Sequence, residues 1–311
     1  ILRGRDSFCI LPTGAGKSIC YQIPALMFNG ITIVISPLIS LMKDQVDNLN
    51  SNGINARYIN STQKLEVSDE IIELCKKGEV KLLYIAPEKL ENEFFKRKLR
   101  LLNISQIAID EAHCVSMWGH DFRKSYGLIA EFIDNLRIRP VVTAFTATAT
   151  EVVRKDVINL LKLRNPYIYI GSFDRENLEI KLYIEEDKLE LVKDIIRERE
   201  GEAGIIYCAT RKEVDGLYYY LKDLGYDVLK YHGGLKDSEK EFYQDEFLNE
   251  NSNVMIATNA FGMGIDKSNI RYIIHFTIPK NIEGYYQEIG RAGRDGFSAK
   301  CYLFFNRADI R

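Results

Sequence analysis

Short apolar runs recur along the chain, each closed by Pro, Gly or Asp and followed by a stretch of helical spacing. SFCILP (7–12), ITIVISP (31–37), KLLYIAP (81–87), QIAID (106–110) and VVTAFTA (141–147) are apolar on both faces, as strands buried inside a parallel sheet must be. Segments 38–50, 66–77 and 150–162 instead carry apolar positions at the helical period. Strand–helix alternation of this kind predicts an α/β, doubly wound fold. The pattern resumes with GIIYCA (204–209), DVLKYH (227–232), VMIATN (254–259), YIIHF (272–276) and CYLFFN (301–306). Between the two sets lies NPYIYIGSFDRENLEI (165–180), with its Pro, Gly and charges, which predicts a hinge near 171–178. Two domains follow, residues 1–172 and 173–311. They share a plan without a sequence repeat.

Composition adds little that is specific. The chain has 311 residues, 46% hydrophobic and 28% charged, an ordinary globular balance rather than a disordered one. A net charge of −2 leaves any nucleic-acid site to a local groove, because no bulk cationic excess exists. The six cysteines form no CxxC pair and no zinc-spaced cluster, so zinc is not expected. They read as buried thiols of a reducing compartment. No apolar stretch reaches membrane-spanning length and no signal peptide is visible. Together these predict a cytoplasmic protein. Strand-like sequence begins almost at Ile1, which reads as part of a longer protein.

The candidate chemistry is concentrated after the strands. LPTGAGKS (11–18) follows the first strand and opens a helical stretch. Gly14 and Gly16 let the backbone curl and aim N–H groups at phosphate oxygens. The helix directs its positive end to the same place. Thr13 to Ser18 would thus cradle the phosphates, Ala15 included. Lys17 adds a point charge there and Ser18 can ligate Mg²⁺. Leu11 stands where the general pattern has its first Gly. IAIDEAHC (107–114) places Asp110 at the end of an apolar strand, as a second Mg²⁺ anchor, with Glu111 to orient and deprotonate water. Taken singly, the first motif also reads as a Gly-rich turn and the second as a helix cap. SMWGHDFR (116–123) raises a separate question, since the lone Trp118 reads from composition as a core residue.

These motifs together resemble the RecQ DNA helicases of helicase superfamily 2. The resemblance runs through LPTGAGKS, VISPLISLMKDQV (34–46), LLYIAPEKL (82–90), DEAHC with SMWGHDFR, AFTATAT (144–150), SFDRENL (172–178), YCATRKEVDGL (207–217), YHGGL (231–235), ATNAFGMGIDK (257–267) and QEIGRAGRDG (287–296). It implies two tandem RecA-like domains, ATP and Mg²⁺ as cofactors, and single-stranded or partly duplex DNA as partner, with 3′–5′ movement and a monomer favoured. It implies that Trp118, Phe122 and Arg123 sense single-stranded DNA, where base stacking on an aromatic face contributes about 1–3 kcal/mol. It gives Arg291 and Arg294, with Gln287 alongside, the part of arginine fingers at the γ-phosphate. By the same resemblance Asp266 contacts ribose, Thr258 faces nucleic acid and His113 couples the acidic motif to TATAT.

Ser36, Thr210 and Arg211 lie in small-residue loops suited to phosphate contacts that carry no sequence information, although turn or cap roles fit each one singly. Tyr218–Tyr220 read as packing residues, and His232 as part of a turn. The resemblance implies that adenine is read by a Gln in an upstream segment, and ILRGRDSF (1–8) reads as the tail of that segment. An RNA helicase with the same engine and a non-catalytic DNA-binding module are the competing classes.

Overall fold

The computed structural model describes residues 1–60, 63–119, 121–261 and 267–309. The chain divides into two compact units, Ile1–Phe173 and Asp174–Arg311.

The first unit is a seven-stranded sheet built from β1 (Ser7–Ile10), β2 (Ile31–Ile35), β3 (Ala56–Ile59), β4 (Leu82–Ile85), β5 (Ile104–Ile109), β6 (Val141–Thr146) and β7 (Tyr167–Ile170). Their order is β3-β4-β2-β5-β6-β1-β7. Every pairing is parallel. The helices are α1 (Lys17–Met27), α2 (Ile39–Ser51), α3 (Leu65–Lys76), α4 (Glu93–Leu99), α5 (Leu128–Asp134) and α6 (Glu151–Leu160). The doubly apolar strands have two faces to bury, and both are covered. Phe8, Ile33, Ile85, Ile107 and Ile109 pack with residues of α3 to α6 on one side. Cys9, Val34, Tyr84, Ala108 and Phe145 pack with Tyr21 and Ala25 of α1 and with Met42 and Val46 of α2 on the other.

The second unit is a six-stranded sheet of β8 (Leu178–Ile184), β9 (Ala203–Tyr207), β10 (Leu229–Tyr231), β11 (Val254–Ala257), β12 (Ile270–His275) and β13 (Ala299–Phe305). Its order is β10-β11-β9-β12-β13-β8, and its pairings are also parallel. The helices are α7 (Lys188–Glu198), α8 (Arg211–Asp223), α9 (Asp237–Leu248) and α10 (Ile282–Ile289). α7 and α8 cover one face and α9 and α10 the other.

The segment 165–180 is more regular than its composition suggests. It contains β7 and the start of β8, each at a sheet edge. Both present large apolar side chains to solvent, among them Tyr167, Tyr169, Ile180 and Leu182. The three tyrosines 218–220 lie in α8, where Tyr218 and Tyr220 pack against the core and the Lys230 ammonium lies over the rings of Tyr218 and Tyr219. His232 is buried directly after β10, and its Nδ1 accepts from the Gly234 N–H in the turn that follows.

Candidate nucleotide and nucleic-acid site

The phosphate-loop segment joins the end of β1 to α1. Gly14 (φ 84°) and Gly16 (φ 77°) are both left-handed, a conformation that costs an L-residue about 1–2 kcal/mol and a glycine almost nothing. Gly16 is also the N-cap of α1, and no side chain caps that helix end. Its first N–H groups therefore stay open to an anion at the positive end of the dipole. Lys17 bends back, with Nζ donating to the Leu11 carbonyl at 3.2 Å. Leu11, where a glycine was expected, thus serves through its backbone. Thr13, Ala15 and Ser18 complete the segment at or near the surface.

The acidic pair follows β5. Asp110 is buried, accepts from the Glu111 N–H at 3.0 Å and faces the Ser36 hydroxyl at 3.5 Å. Burial, with the Glu111 charge adding to it, pushes its carboxyl up to about 6, while Lys17 pulls the other way. Glu111 has φ 45°, a left-handed turn at a residue with a full side chain. Such local strain turns up at functional positions. Its carboxylate lies 3.3 Å from His113 Nδ1. That nitrogen is also 2.8 Å from Thr146 Oγ1. The Thr146 hydroxyl donates to the Thr148 carbonyl at 3.0 Å, so it must accept from the imidazole. This fixes the Nδ1–H form of His113 and makes one hydrogen-bonded line from the acidic segment to TATAT.

A buried carboxylate with a raised affinity for protons, beside a second carboxylate, is a site that a divalent cation would relieve. The oxygen donors Asp110 and Ser18 suit Mg²⁺, which commonly takes one or two protein ligands and completes its shell with phosphate and water. Among the described residues no cluster of three or more His, Cys, Asp or Glu could make an all-protein cage.

Trp118 and Phe122 are not core residues. Trp118 is 76% exposed and Phe122 47%. The loop carrying them is nevertheless anchored. The buried Ser116 hydroxyl donates to Asp156 at 2.7 Å and accepts from the Trp118 N–H at 3.2 Å. The Arg123 N–H donates to the Cys114 carbonyl at 2.9 Å. A Cβ on Gly119 would collide with the His113 carbonyl oxygen, so this glycine lets the loop close down on the acidic segment. Two expected strand contacts point elsewhere. The Arg123 guanidinium turns inward to Asp121 and to the Pro37 carbonyl, the latter at 3.2 Å. Ser36 is 2% exposed and faces Asp110, because its position directly after β2 sets it beside the end of β5.

In the second unit, Gln287 is half-buried on α10, and Arg291 and Arg294 lie on the turn after it. Arg291 is 5% exposed, and its charge acts on the Tyr207 hydroxyl, which donates to the Phe261 carbonyl at 3.3 Å. Burial raises the pKa of that phenol to about 12, while the Arg291 and Arg294 charges oppose the rise. Thr210 caps α8 in a reciprocal box with Glu213. Arg211 is exposed beside it, its guanidinium close to the Gly233–Gly234 turn. Thr258 is buried after β11, against the expectation that it faces nucleic acid. Asp266 lies outside the described residues.

Comparison with known proteins fits these two halves. Residues 1–156 match the DEAD/DEAH box helicase family and residues 187–296 the helicase conserved C-terminal domain. The chain belongs to the DEAD/DEAH box helicase family. It is 51% identical to the ATP-dependent DNA helicase RecQ of Bacillus subtilis (strain 168), over 98% of this chain and 52% of that protein. It is 46% identical to RecQ of Pasteurella multocida (strain Pm70), over 99% of this chain and 49% of that protein. With the RecQ-like DNA helicase BLM of Xenopus laevis it shares 42%, over 99% of this chain and 23% of that one. The chain thus spans about half the length of the bacterial relatives. Each unit is a RecA-like domain of the helicase type. The same fold is seen in Dbp5 of S. cerevisiae bound to RNA and ADP BeF3, with TM-score 0.76, 20% identity and coverage of 98% of this chain and 80% of that one. It is seen again in the DUF1998 helicase MrfA bound to DNA, with TM-score 0.80, 16% identity and coverage of 98% and 44%.

Two features of this RecQ-like chain escaped the sequence reading. His275, buried at the end of β12, pairs with Glu288 at 2.9 Å and stacks on Tyr207 at 5.5 Å between centroids, next to the arginine turn. Arg175 and Asn177 reach the same turn from the start of the second unit. A histidine closing an apolar strand was the one available signal for the first. The second pair showed only as members of SFDRENL.

Proposed function

We propose that this chain is the motor core of a RecQ-type ATP-dependent DNA helicase, which couples ATP hydrolysis to 3′–5′ movement on single-stranded DNA in repair or recombination. The observation that carries this reading is the first unit's alignment of an uncapped α1, Lys17, and the Asp110–Glu111 pair with an anchored loop bearing the exposed Trp118 and Phe122.

In this reading, residues 13–18 cradle the triphosphate through backbone N–H groups, and Lys17 places its charge on the β- and γ-phosphates. Asp110 and Ser18 would hold Mg²⁺, which would neutralise phosphate charge. Glu111 orients the attacking water and takes its proton. Arg291 and Arg294, with Gln287, stabilise the charge that grows on the transferred phosphoryl group, an effect of about 10³–10⁵ in rate where arginine fingers have been measured. Trp118 and Phe122 stack on unpaired bases, and Arg211 and Thr210 follow the backbone. His113 passes the state of the nucleotide to residues 146–148. A monomer is the favoured state, and the place of action is the cytoplasm, or the nucleoid if the chain is bacterial. Among the described residues no helix is long and apolar enough to cross a membrane.

The test is ATP hydrolysis measured with no polymer, single-stranded DNA, duplex DNA and RNA in parallel, for the parent chain and for Trp118→Ala. Strong stimulation by single-stranded DNA, blunted by Trp118→Ala and weakened by rising salt, is expected. Stimulation by RNA alone would move the chain to the RNA helicases. Absence of hydrolysis under every condition would end the enzymatic reading.

A further inference from the structure

We propose that Arg175 and Asn177 are positioning residues for phosphoryl transfer, bracing the turn that carries Arg291 and Arg294. The proposal rests on the role given to those two arginines above.

The turn follows α10 and is held within itself by short-range bonds, among them those from the Ala292 and Gly296 N–H groups to the Ile289 and Gly293 carbonyls, which leave the carbonyls of Ala292 and Phe297 to other partners. Those two carbonyls, with that of Gly293, are gripped by two side chains more than a hundred residues upstream. Arg175 Nη2 donates to the Ala292 and Gly293 carbonyls, each at 3.0 Å. Asn177 Nδ2 donates to the Gly293 and Phe297 carbonyls, each at 2.9 Å. The two braces are joined, Arg175 Nε donating to Asn177 Oδ1 at 3.2 Å. The Asn177 backbone belongs to the same assembly, since the Ala299 N–H donates to its carbonyl at 2.9 Å. The Gly293 N–H donates to the Ile270 carbonyl at 2.9 Å, which ties the turn to β12 as well.

The chemistry of the pair explains the residue types. A guanidinium offers several donors in a rigid fork, so one side chain can hold two successive carbonyls. An amide shares the Gly293 carbonyl and adds that of Phe297, while its oxygen accepts from the guanidinium. A carboxamide is required at 177, because a carboxylate there would face two carbonyl oxygens with no proton to give. Gly293 is adapted to the same contact. Its φ is +56°, and a Cβ would come within 2.5 Å of Asn177 Nδ2 and 2.6 Å of the Phe297 carbonyl oxygen.

The braces therefore set the path of residues 292–297 on both sides of Arg294 and directly after Arg291. Charge stabilisation in a transition state depends on donors fixed in advance, and small misplacements of such groups cost orders of magnitude. The braces also come from residues 175–177, where the chain enters the second unit at Asp174. The arginine turn and that entry point are thereby one mechanical piece.

The experiment uses the complete chain with single-stranded DNA and compares Arg175→Ala, Arg175→Lys and Asn177→Asp. Asn177→Asp keeps size and shape, which guards against a variant that merely fails to fold, and circular dichroism monitors all three. We expect kcat to fall about 10–10²-fold in Arg175→Ala and Asn177→Asp, with little change in KM for ATP or in affinity for the strand. Arg175→Lys, which retains a cationic donor for the carbonyls, should recover most of the rate. In an Arg291→Ala/Arg294→Ala background, Arg175→Ala should cost nothing further, because braces without arginines have nothing to position. Unchanged kcat in the folded single variants would overturn the proposal. So would a loss that persists in full in the double-arginine background. If that background itself hydrolyses ATP at the parent rate, the arginine-finger reading fails first and the braces with it.

Discussion

The two units are the same scaffold carrying opposite chemistry. Strands β8 to β13 follow the spatial order of β1 to β6, with β7 as the first unit's only addition among the described strands. The loops after β1 and β8 are therefore equivalent positions. After β1 the chain makes a glycine-rich curl and enters α1 with no side chain on its first N–H groups. After β8 it runs through Glu185, Glu186 and Asp187. Asp187 caps α7 by accepting from the N–H groups of Leu189 and Glu190, at 3.0 and 3.3 Å. Both helices begin with a lysine: Lys188 of α7 is paired with Asp309, while Lys17 bends back over the loop at the open end of α1. The α7 end is filled by a carboxylate and fronted by two more, so a phosphate is repelled before it reaches an N–H already in use. In the proposed reading, Glu185, Glu186 and Asp187 are what keep the second copy of the fold from holding a triphosphate.

The comparison can be broken in three places. Lys17→Ala should have the largest effect, a loss of turnover on the order of 10³-fold or more, with strand binding retained. Turnover near the parent rate would mean that the open helix end alone carries phosphate affinity. Next, Gly16→Asp sets a carboxylate at the N-terminus of α1, as Asp187 does for α7, although the Gly16 backbone is left-handed and that of Asp187 extended. A Cβ at Gly16 meets nothing within 4 Å, so space does not forbid it, and Asp is among the residues that tolerate a left-handed backbone. Nucleotide affinity should fall about 10²-fold in a protein that stays folded. Unaltered affinity would show that helix capping is not what separates the units.

The smallest effect concerns stability. The Asp110 pKa is raised from 3.8 to about 6. An acid whose folded pKa is raised gives its contribution to stability below the unfolded value and loses it as pH rises through the folded one. Without nucleotide or Mg²⁺, Asp110→Asn should therefore melt higher than the parent at pH 7–8, by the equivalent of about 1–3 kcal/mol, and the advantage should vanish near pH 4. Melting curves at the two pH values decide it. An advantage equal at both would assign the gain to packing rather than charge.

What the sequence disclosed and what it withheld both have physical causes. Central strands such as β2, β5 and β9 are apolar on both faces, and each stood out as an unbroken run. The strands that did not stand out, β3, β7 and β8, are all edge strands. An edge strand keeps one side toward water and mixes polar residues into its pattern, as ARYI and LEIKLYI do. In β7 the signal was present in YIYI but was outweighed by the Pro and Gly around it. The phosphate-loop and acidic motifs were legible because they encode local backbone needs. The exposure of Trp118 needed the family resemblance, since composition favoured burial. The braces of the arginine turn were not legible at all. Arg175 and the Gly293 carbonyl lie 118 positions apart, and no local pattern announces so distant a partner. Ser36 misled for the opposite reason, because a hydroxyl in a loop reads alike whether it faces solvent or a buried carboxylate.

Gly119 lies against the His113 carbonyl with no room for so much as a methyl group. Two segments packed that tightly have no slack between them, and close-packed protein transmits displacement instead of absorbing it. Any push on the surface that displays Trp118 reaches the histidine's backbone within a fraction of an ångström of travel. If the proposed function holds, strand capture and hydrolysis need no long stroke between them, and Gly119→Ala should uncouple the two.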